Sequence, residues 1–310
     1  MGNAIGCTGV LVLLLALPVW AQPAKPVKEV VVEVTRTAGN TYMVPVECNG
    51  VEAKFAWGCC GPTEISESFA KKLGVEIQKL AKAPLVDAEG LPVHVGAAKV
   101  TVRFAKREGP VTVLVKKDKY CEEGEKEGAL GAEIGYSFQW QLDPTVPSLT
   151  LRPLGTPVKG KPLATIPLKP VELGFTLNVR IRNVPVDVVL MPSSSGIQCD
   201  PRLQAKWDLA SGKKYHSEAE KQVGMFRITW LKHPDFVELP GGIRESNILM
   251  MLLGDPKRPD EFPAAQSGIG QSLLSRFIHL VDAQKQQLVI LERIPEIKPA
   301  SNPSKPGGWE

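Results

Sequence analysis

The chain is poor in several features that would narrow its function. Aromatic residues make up only 6% of its 310 residues, and the 4 histidines are scattered. No Cys-x-x-Cys or His-rich spacing typical of a zinc site is present, so we expect neither a metal nor a cofactor. The net charge is only +4, and no basic stripe alternates with aromatic residues. Nucleic acid is therefore not an expected partner.

Long apolar runs are also scarce. The run from Val10 to Trp20 is too short for a membrane span but has the length of a signal-peptide core. Val19 and Ala21 are small enough for the cleavage positions, so residues 1–21 are predicted to be a signal peptide. The mature protein would then be secreted or periplasmic, without a membrane span. The residues before the run lack Lys and Arg, which leaves an uncleaved anchor or another start codon as alternatives.

Five cysteines follow the predicted cleavage point: Cys48, Cys59, Cys60, Cys121 and Cys199. An odd number leaves at least one thiol unpaired within a single chain. One or two disulfides are possible, and the sequence does not assign them. The adjacent Cys59-Cys60 pair could serve redox chemistry or a soft metal. We favour a structural role in a tight loop, with one of the two bridged to Cys121 or Cys199.

The residues that are present favour strands. Apolar residues make up 43% of the chain, mostly Val, Leu and Ile, and 27 prolines and 28 glycines interrupt it often. This composition predicts an all-β protein with a few short helices. Locally, Asn49-Gly50 predicts a two-residue hairpin turn. Residues 63–73 predict a short helix that Thr63 or Ser66 caps and Gly74 ends.

Two further strands are predicted at 93–104 and 110–115, with breaks at Gly96 and at Glu108-Gly109. The residues between 86 and 95, around Glu89-Gly90, separate the short helix from these strands.

An internal repeat organises the sequence. Residues 47–57 align with residues 181–191 when Asn49 is placed over Asn183. In both copies a strand, a turn and a strand lead to a loop of small residues and then to a helix-like segment. Such self-similarity indicates duplicated structural units.

A second pair of segments repeats in the same order later in each copy. Leu130-Gly131, Phe138 and Asp143 correspond to Ile269-Gly270, Phe277 and Asp282, and each aspartate precedes a terminal strand. The predicted organisation is a signal peptide at 1–21, a linker at 22–28, a first lobe at 29–155, a linker at 156–162, a second lobe at 163–293 and a disordered tail at 294–310.

Each copy resembles one lobe of the retropepsin and pepsin-like aspartic proteases. In that family a strand–turn–strand leads into Asp-Thr-Gly and a short helix, and a hydrophobic-Gly motif later passes beneath that loop. The resemblance implies two pseudo-symmetric β-barrel lobes with a peptide-binding cleft between them. It also implies a flap at Glu89 and Gly90, and hydrophobic-Gly motifs at Leu130, Gly131, Ile269 and Gly270.

The sequence departs from this family at the catalytic residues. The first catalytic aspartate position falls at Trp57 or Gly58, and the second at Met191 or Pro192. The degenerate catalytic-loop positions are Trp57, Gly58, Cys59, Cys60, Gly61, Met191, Pro192, Ser193, Ser194 and Ser195. The family's reaction needs two carboxylates that share a proton, so no catalytic residue is predicted. We expect Trp57 and Met191 to fill the lobe junction instead.

Other polar residues have plainer interpretations. Asp143 and Asp282 are expected to start turns, and the serines at 193–195 to bond backbone groups in a turn. Trp140, Trp207 and Trp230 are expected to be core residues. A base supplied by Asp87 or Glu89 in the flap is disfavoured, because flaps cover the substrate.

The leading hypothesis is a non-catalytic protein that binds a peptide or protein between its lobes. The alternatives are an endopeptidase with unusual catalytic residues, a structural envelope-associated module and, more weakly, a thiol-dependent role. The ligand and the oligomeric state stay open.

Overall fold

The computed structural model describes residues 28–295 apart from thirteen gaps or single positions: 38–39, 82–84, 86–90, 122–125, 173, 195, 201, 204–205, 207–218, 224–225, 233–235, 247 and 254–266. Only the backbone is described at 219–223, 226–232, 249 and 252–253. The described chain is built almost entirely of strands that form two lobes and a sheet shared between them. The predicted all-β, two-lobed fold is therefore confirmed. Within these residues, no helix combines the length and apolar character needed to cross a membrane.

The first lobe is a closed barrel. Its strands are β2 (Thr35–Arg36), β3 (Tyr42–Cys48), β4 (Val51–Trp57), β5 (Glu64–Ser66), β6 (His94–Phe104), β7 (Arg107–Lys116) and β8 (Gly128–Leu130). They follow the order β2-β3-β4-β8-β5-β7-β6, and β6 also pairs with β3, which closes the ring. Closure leaves no free edge among the six strands β3 to β8, and β2 lies outside the ring as a partner of β3.

The sheet between the lobes takes strands from both. Its members are β1 (Val30–Glu33), β9 (Gln139–Asp143), β10 (Ser148–Arg152), β11 (Ala164–Pro167), β22 (Phe277–Asp282) and β23 (Gln287–Arg293). They lie in the order β1-β10-β9-β22-β23-β11, so the lobes meet where β9 pairs with β22.

The second lobe repeats the pairing pattern of the first. Its strands are β12 (Lys169–Val171), β13 (Gly174–Ile181), β14 (Val184–Leu190), β15 (Ile197–Cys199), β16 (Ala219–Val223), β17 (Phe226–Lys232), β18 (Phe236–Leu239), β19 (Ile243–Ser246), β20 (Leu249–Leu253) and β21 (Gly268–Ile269). As β3 pairs with β6 in the first lobe, β13 pairs with β18 in the second. As β5 runs parallel to β7, β15 runs parallel to β20.

Three short α-helices complete the described elements: α1 (Glu67–Lys72), α2 (Ala132–Gly135) and α3 (Gln271–Leu274), with a 3₁₀ turn at Asp118–Tyr120. The predicted helix at 63–73 is shorter than expected, because its first residues form β5. Ser66 caps α1 as predicted, since its hydroxyl accepts a hydrogen bond from the Phe69 amide at 3.1 Å. Gly74 follows with a φ of 64°, as a helix-ending glycine requires.

The hairpin of β6 and β7 corrects a local prediction. Glu108-Gly109, predicted as a break, lies inside β7, and the turn falls at Ala105 and Lys106 with φ values of 50° and 65°. Gly96 does mark an irregularity, because the register shifts between His94 and Gly96.

Candidate functional site at the lobe junction

The loop after β4 is held from below by the first hydrophobic-Gly motif. The amides of Gly58 and Cys59 donate to the Leu130 carbonyl at 3.2 and 3.1 Å. The Gly131 amide donates to the Thr63 hydroxyl at 2.9 Å. A Cβ on Gly131 would overlap the backbone of Thr63, so this position requires glycine. The motif and the loop therefore form one tightly packed unit.

The loop after β14 is built in the same way. The Met191 amide donates to the Ile269 carbonyl at 2.9 Å. The Gln271 amide donates to the Ser194 carbonyl at 2.7 Å, and its side-chain amide donates to the Pro192 carbonyl at 2.6 Å. A Cβ on Gly270 would overlap the Ser194 carbonyl. The second hydrophobic-Gly motif thus supports the second loop as the first motif supports the first.

The strand register corrects the alignment of the two copies by one residue. In the first lobe Trp57 lies opposite Leu130, and in the second Leu190 lies opposite Ile269. Trp57 therefore corresponds to Leu190 and not to Met191. The residue that follows in each strand, Gly58 or Met191, has the same hydrogen bond to its motif. The hairpin turns agree, because the first turn is Asn49-Gly50 and the second is Arg182-Asn183.

The two loops lie against each other at the junction. The Thr41 hydroxyl of the first lobe donates to the Ser193 carbonyl of the second at 3.1 Å. A Cβ on Gly58 would lie 3.8 Å from the Ser193 hydroxyl oxygen. The rings of Tyr136 and Phe175 also meet across the junction, with centroids 4.7 Å apart. The loops that the sequence singled out separately are therefore neighbours in the fold.

Neither equivalent position at this junction can ionise. Gly58 has no side chain, and the sulfur of Met191 packs against Gly268. Trp57 does not fill the junction, contrary to expectation. Its ring is fully buried in the core, 5.7 Å from the rings of both Phe104 and Trp140. The one-residue register correction explains this, because neighbouring residues of a strand point to opposite faces.

One carboxyl group lies beneath the first loop. Glu133 accepts a hydrogen bond from the Thr63 amide at 2.9 Å. Burial raises the pKa of the Glu133 carboxyl, and its hydrogen bonds oppose that rise only in part. Matching Leu130 to Ile269 places Ser272 at the equivalent position of the second lobe. The second lobe therefore has no carboxyl group at the position that corresponds to Glu133. The sequence could have signalled Glu133 only through its place directly after the hydrophobic-Gly motif.

A second cluster of polar side chains lies in the first barrel and was not predicted from the sequence. His94 and Glu64 are hydrogen-bonded, with 2.8 Å between Nε2 and Oε1, and the Lys116 amine lies 3.6 Å from the other carboxylate oxygen. Burial raises the pKa of Glu64, but the hydrogen bond from His94 and the charge of Lys116 outweigh burial and lower it overall. These residues come from three strands, so their spacing in the sequence gives no sign of the contact. The cluster fixes the start of β6 against β5.

None of the five cysteines after the apolar run forms a disulfide. The proposed bridge from Cys59 or Cys60 to Cys121 or Cys199 is therefore wrong for this structure. Cys59 has a φ of 51° and is fully buried. Burial raises its thiol pKa well above the ordinary value. Since the thiolate is the reactive form, Cys59 is expected to be inert.

The turn interpretation of the two matching aspartates is confirmed. The Asp143 carboxylate accepts from the Thr145 amide at 2.9 Å. The Asp282 carboxylate accepts from the amides of Gln284 and Lys285, each at 3.1 Å. Both side chains thus begin turns between paired strands, and neither reaches the loops.

The remaining predicted residues divide between described and undescribed positions. The Ser194 hydroxyl donates to the Gly196 carbonyl at 3.1 Å, as expected of a turn serine, and Trp140 is fully buried as expected. Gly61 accepts the Ala132 amide at 2.9 Å, and Cys60 is half-buried in the same loop. The flap residues Glu89 and Gly90, together with Asp87, Ser195, Trp207 and the signal peptide, lie outside the described residues, as does the side chain of Trp230.

The flanks of the predicted flap are described, and they pair. The Val93 amide donates to the Leu85 carbonyl at 3.0 Å, and Gln78 and Ala97 exchange two backbone hydrogen bonds of 2.8 and 2.9 Å. This antiparallel pairing is what a hairpin centred between the flanks needs.

No group of three or more potential metal ligands occurs among the described residues. Comparison with known protein families finds no match, and a comparison with curated proteins finds none either. The resemblance to the aspartic proteases therefore stays a prediction from the sequence motifs.

Proposed function

We propose that this protein is an exported, non-catalytic relative of the aspartic proteases that binds a peptide or protein segment between its lobes. The single observation that carries the proposal is the meeting of two equivalent loops at the junction with Gly58 and Met191 in place of ionisable residues. A shared-proton mechanism needs a carboxylate at both positions. The two loops therefore meet without a carboxylate at either of the equivalent positions, which supports a non-catalytic role.

The proposed ligand is an extended segment. The pairing of Leu85 with Val93 and the meeting of the two loops support a site in which backbone groups could add hydrogen bonds of the β type. The expected contacts are residues 58–61 and 191–196, together with the flap; Trp57, which the sequence placed among them, is buried in the core. Export is proposed from the apolar run at Val10–Trp20 alone.

An endopeptidase with unusual catalytic residues has weaker support. Glu133 is the nearest candidate acid, since its carboxyl is hydrogen-bonded beneath the first loop and its pKa is raised by burial. Its counterpart Ser272 cannot share a proton as a second acid. One carboxyl group does not make the pair that this chemistry requires.

A structural module is the stronger alternative. Gly58, Cys59 and Pro192 are buried, and the hydrogen bond from Thr41 to Ser193 ties the loops together across the junction. A junction that is closed in solution would leave no room for a ligand. The experiment must therefore distinguish binding from closure as well as from catalysis.

The test is to incubate the mature protein with a diverse peptide library between about pH 3 and about pH 8, where carboxyl pairs titrate, with and without a statine-type inhibitor. No cleavage together with saturable inhibitor binding would support the proposed function. No cleavage and no binding would favour the structural module. Cleavage that the inhibitor blocks would overturn the proposal and return attention to Glu133.

A matched variant calibrates the assay. Gly58→Asp combined with Met191→Asp restores a carboxyl at both equivalent positions. Cleavage by this double variant, with none by the parent protein, would show that the junction has the geometry of the resembled family and lacks only its acids.

A further inference from the structure

The seam between the lobes is a short run of strand pairing. Strand β9 of the first lobe pairs with β22 of the second from Leu142↔His279 to Gln139↔Asp282. Within the described strands, this is the pairing that makes one sheet of the two halves. The seam ends on a side-chain hydrogen bond of 3.0 Å from Gln139 to Asp282. Whatever weakens these few pairs weakens the connection between the lobes.

A histidine occupies one end of this seam, at the pair His279↔Leu142. His279 is fully buried, and its ring meets the ring of Trp140 from the other lobe edge-on, with centroids 5.8 Å apart. Its Nδ1 lies 3.1 Å from the Phe277 carbonyl, whereas its Nε2 has no hydrogen-bond partner among the described residues. The ring is therefore satisfied on one side only.

This arrangement suits the neutral imidazole and not the charged one. In the neutral form Nδ1–H donates to the Phe277 carbonyl, and Nε2 carries only a lone pair. A second proton would place an N–H donor at Nε2, where Trp140 can offer no acceptor because its indole nitrogen only donates. The Leu274 backbone offsets the cost of the added charge only in part, and an incompletely paired charged donor in an apolar core is costly. Protonation of His279 thus opposes the packing of the seam.

Among the described residues, no carboxylate forms a hydrogen bond with the ring that could offset that charge. Asp282, on the same strand, is engaged by Gln139 of β9 and by the turn amides of Gln284 and Lys285. Arg276, at the start of β22, pairs with Glu245 of β19 at 2.9 Å. Burial lowers the pKa of His279 to about 4. Hydrogen bonding to the backbones of Phe277 and Leu274 opposes that shift.

The direction of the pH effect follows from this lowered pKa. An unfolded histidine takes up its proton near pH 6.5, whereas His279 in the sheet takes it up near pH 4. The stability that the neutral ring contributes is complete above about pH 6.5 and is lost as the pH falls through about 4.

We propose that the β9–β22 seam is an acid-sensitive joint, in which protonation of His279 breaks the shared sheet and lets the lobes separate while the first barrel stays folded. The buried histidine of the first barrel has a different environment, because His94 Nε2 lies 2.8 Å from the Glu64 carboxylate. His94 is therefore the matched comparison for His279.

The experiment compares three full-length proteins: the parent, His279→Gln and, as a matched control, His94→Gln. Small-angle X-ray scattering measures the radius of gyration, and hydrogen exchange measures the seam amides, as the pH is lowered from about 7 to about 3 across the histidine range. In the parent, the radius is expected to increase reversibly near pH 4, together with exchange at β9 and β22. His279→Gln should move this midpoint at least about one pH unit lower, and His94→Gln should not move it down.

Equal midpoints in the parent and in His279→Gln would overturn the proposal, as would exchange that starts in the first barrel. If His279→Gln does not fold at neutral pH, an NMR titration of the parent imidazoles decides the question. Proton uptake by His279 that coincides with loss of the seam amides supports the joint. Uptake near pH 6.5 with the seam intact overturns it. Neither result depends on whether the junction binds a peptide.

Discussion

The two loops at the junction reach the same backbone position with different side chains. Gly58 approaches the first motif so closely that a Cβ would lie 2.8 Å from the Leu130 carbonyl oxygen. Met191 makes the equivalent hydrogen bond and still carries a long side chain. The comparison shows that the scaffold constrains the backbone of the loop more than the residue placed on it. A site of this kind can lose its chemistry while it keeps its shape.

The lobes also differ in how they complete their barrels. The first uses one long hairpin of β6 and β7, whereas the second divides the corresponding path into the pairs β17–β20 and β18–β19. Both solutions place a strand parallel to the segment that follows the loop. The shared requirement is therefore support beneath the loop, and the outer strands are free to vary.

The strongest test of this comparison is to add a methyl group beneath each loop. Gly131→Ala and Gly270→Ala should each destabilise the protein by about 3 kcal/mol, because the new Cβ overlaps loop backbone that cannot move aside. The free energy of unfolding in urea measures the effect. Gly160→Ala is the control, since Gly160 has a φ of 83° but open space around it, and it should cost only about 1 kcal/mol. Equal losses at all three positions would show that contact with the loop backbone adds nothing to the cost.

Two carboxyl groups near Thr63, where the first loop leads into β5, should respond to pH in opposite directions. Burial raises the pKa of Glu133, so its ionisation destabilises the fold as the pH rises through that value. Glu133→Gln should therefore raise the melting temperature at neutral pH, with the gain shrinking as the pH falls. Thermal unfolding at several pH values measures this, and a gain that grows in acid would contradict the assignment.

Glu64→Gln provides the reverse case. Its pKa is lowered by His94 and Lys116 despite burial, so the stability that it contributes is complete above its ordinary pKa and is lost as the pH falls through the lowered value. The substitution should therefore lower the melting temperature at neutral pH and matter progressively less in acid. If both glutamine variants shift the melting temperature with the same sign at neutral pH, the opposite pKa shifts of Glu133 and Glu64 do not determine their effects on stability.

Alanine substitutions at Gly58 and Met191 are expected to differ by a smaller amount in the free energy of unfolding. Gly58→Ala should destabilise the fold by about 1–2 kcal/mol, because the Leu130 carbonyl must give way. Met191→Ala adds no atom near the corresponding carbonyl, so it should cost about 1 kcal/mol or less at this half-buried position. Urea unfolding of the two variants side by side measures the difference. A larger loss for Met191→Ala would show that its side chain holds the junction together.

The smallest expected effect concerns the two turns. Both have positive φ at each central residue, 48° and 83° at Asn49 and Gly50, and 51° and 66° at Arg182 and Asn183. Asn183→Gly should stabilise the second hairpin by about 0.5 kcal/mol, and Gly50→Asn should destabilise the first by a similar amount. Opposite signs in thermal unfolding would confirm that the turns are equivalent at this register. Equal signs would count against it.

These turns also show what the sequence could and could not supply. Asn49-Gly50 was predictable, because this dipeptide adopts the turn without strain. Arg182-Asn183 was placed one residue out of register, because asparagine was matched to asparagine. What governs the register is the strand pairing on either side. The same reasoning explains why Glu108-Gly109 was wrongly taken as a break. The long β6–β7 ladder imposes its turn on Ala105 and Lys106, neither of which is a typical turn residue.

The candidate site also has parts that the sequence could predict and parts that it could not. The duplication, both loops and both glycine motifs could be predicted, because each depends on short segments whose residue types have local consequences. The pairing of Tyr136 with Phe175 and the Glu64–His94 contact could not, because distant strands bring them together. The location of Trp57 failed for a related reason. A single-residue shift in a strand exchanges the core face for the opposite one.

The strand pairing at the seam also relates the two halves of the chain to each other. Gln141 and Leu280 are equivalent in the two copies and pair with each other, and the pairs on either side are exchanged by the repeat. A half-length chain would carry a bare β9 edge that fits a second copy of itself in the same antiparallel register. Such a half is expected to form a two-fold dimer, because a self-complementary edge closes under that symmetry. The β9–β22 pairing of the present chain is therefore the pairing expected of two such halves joined in one chain.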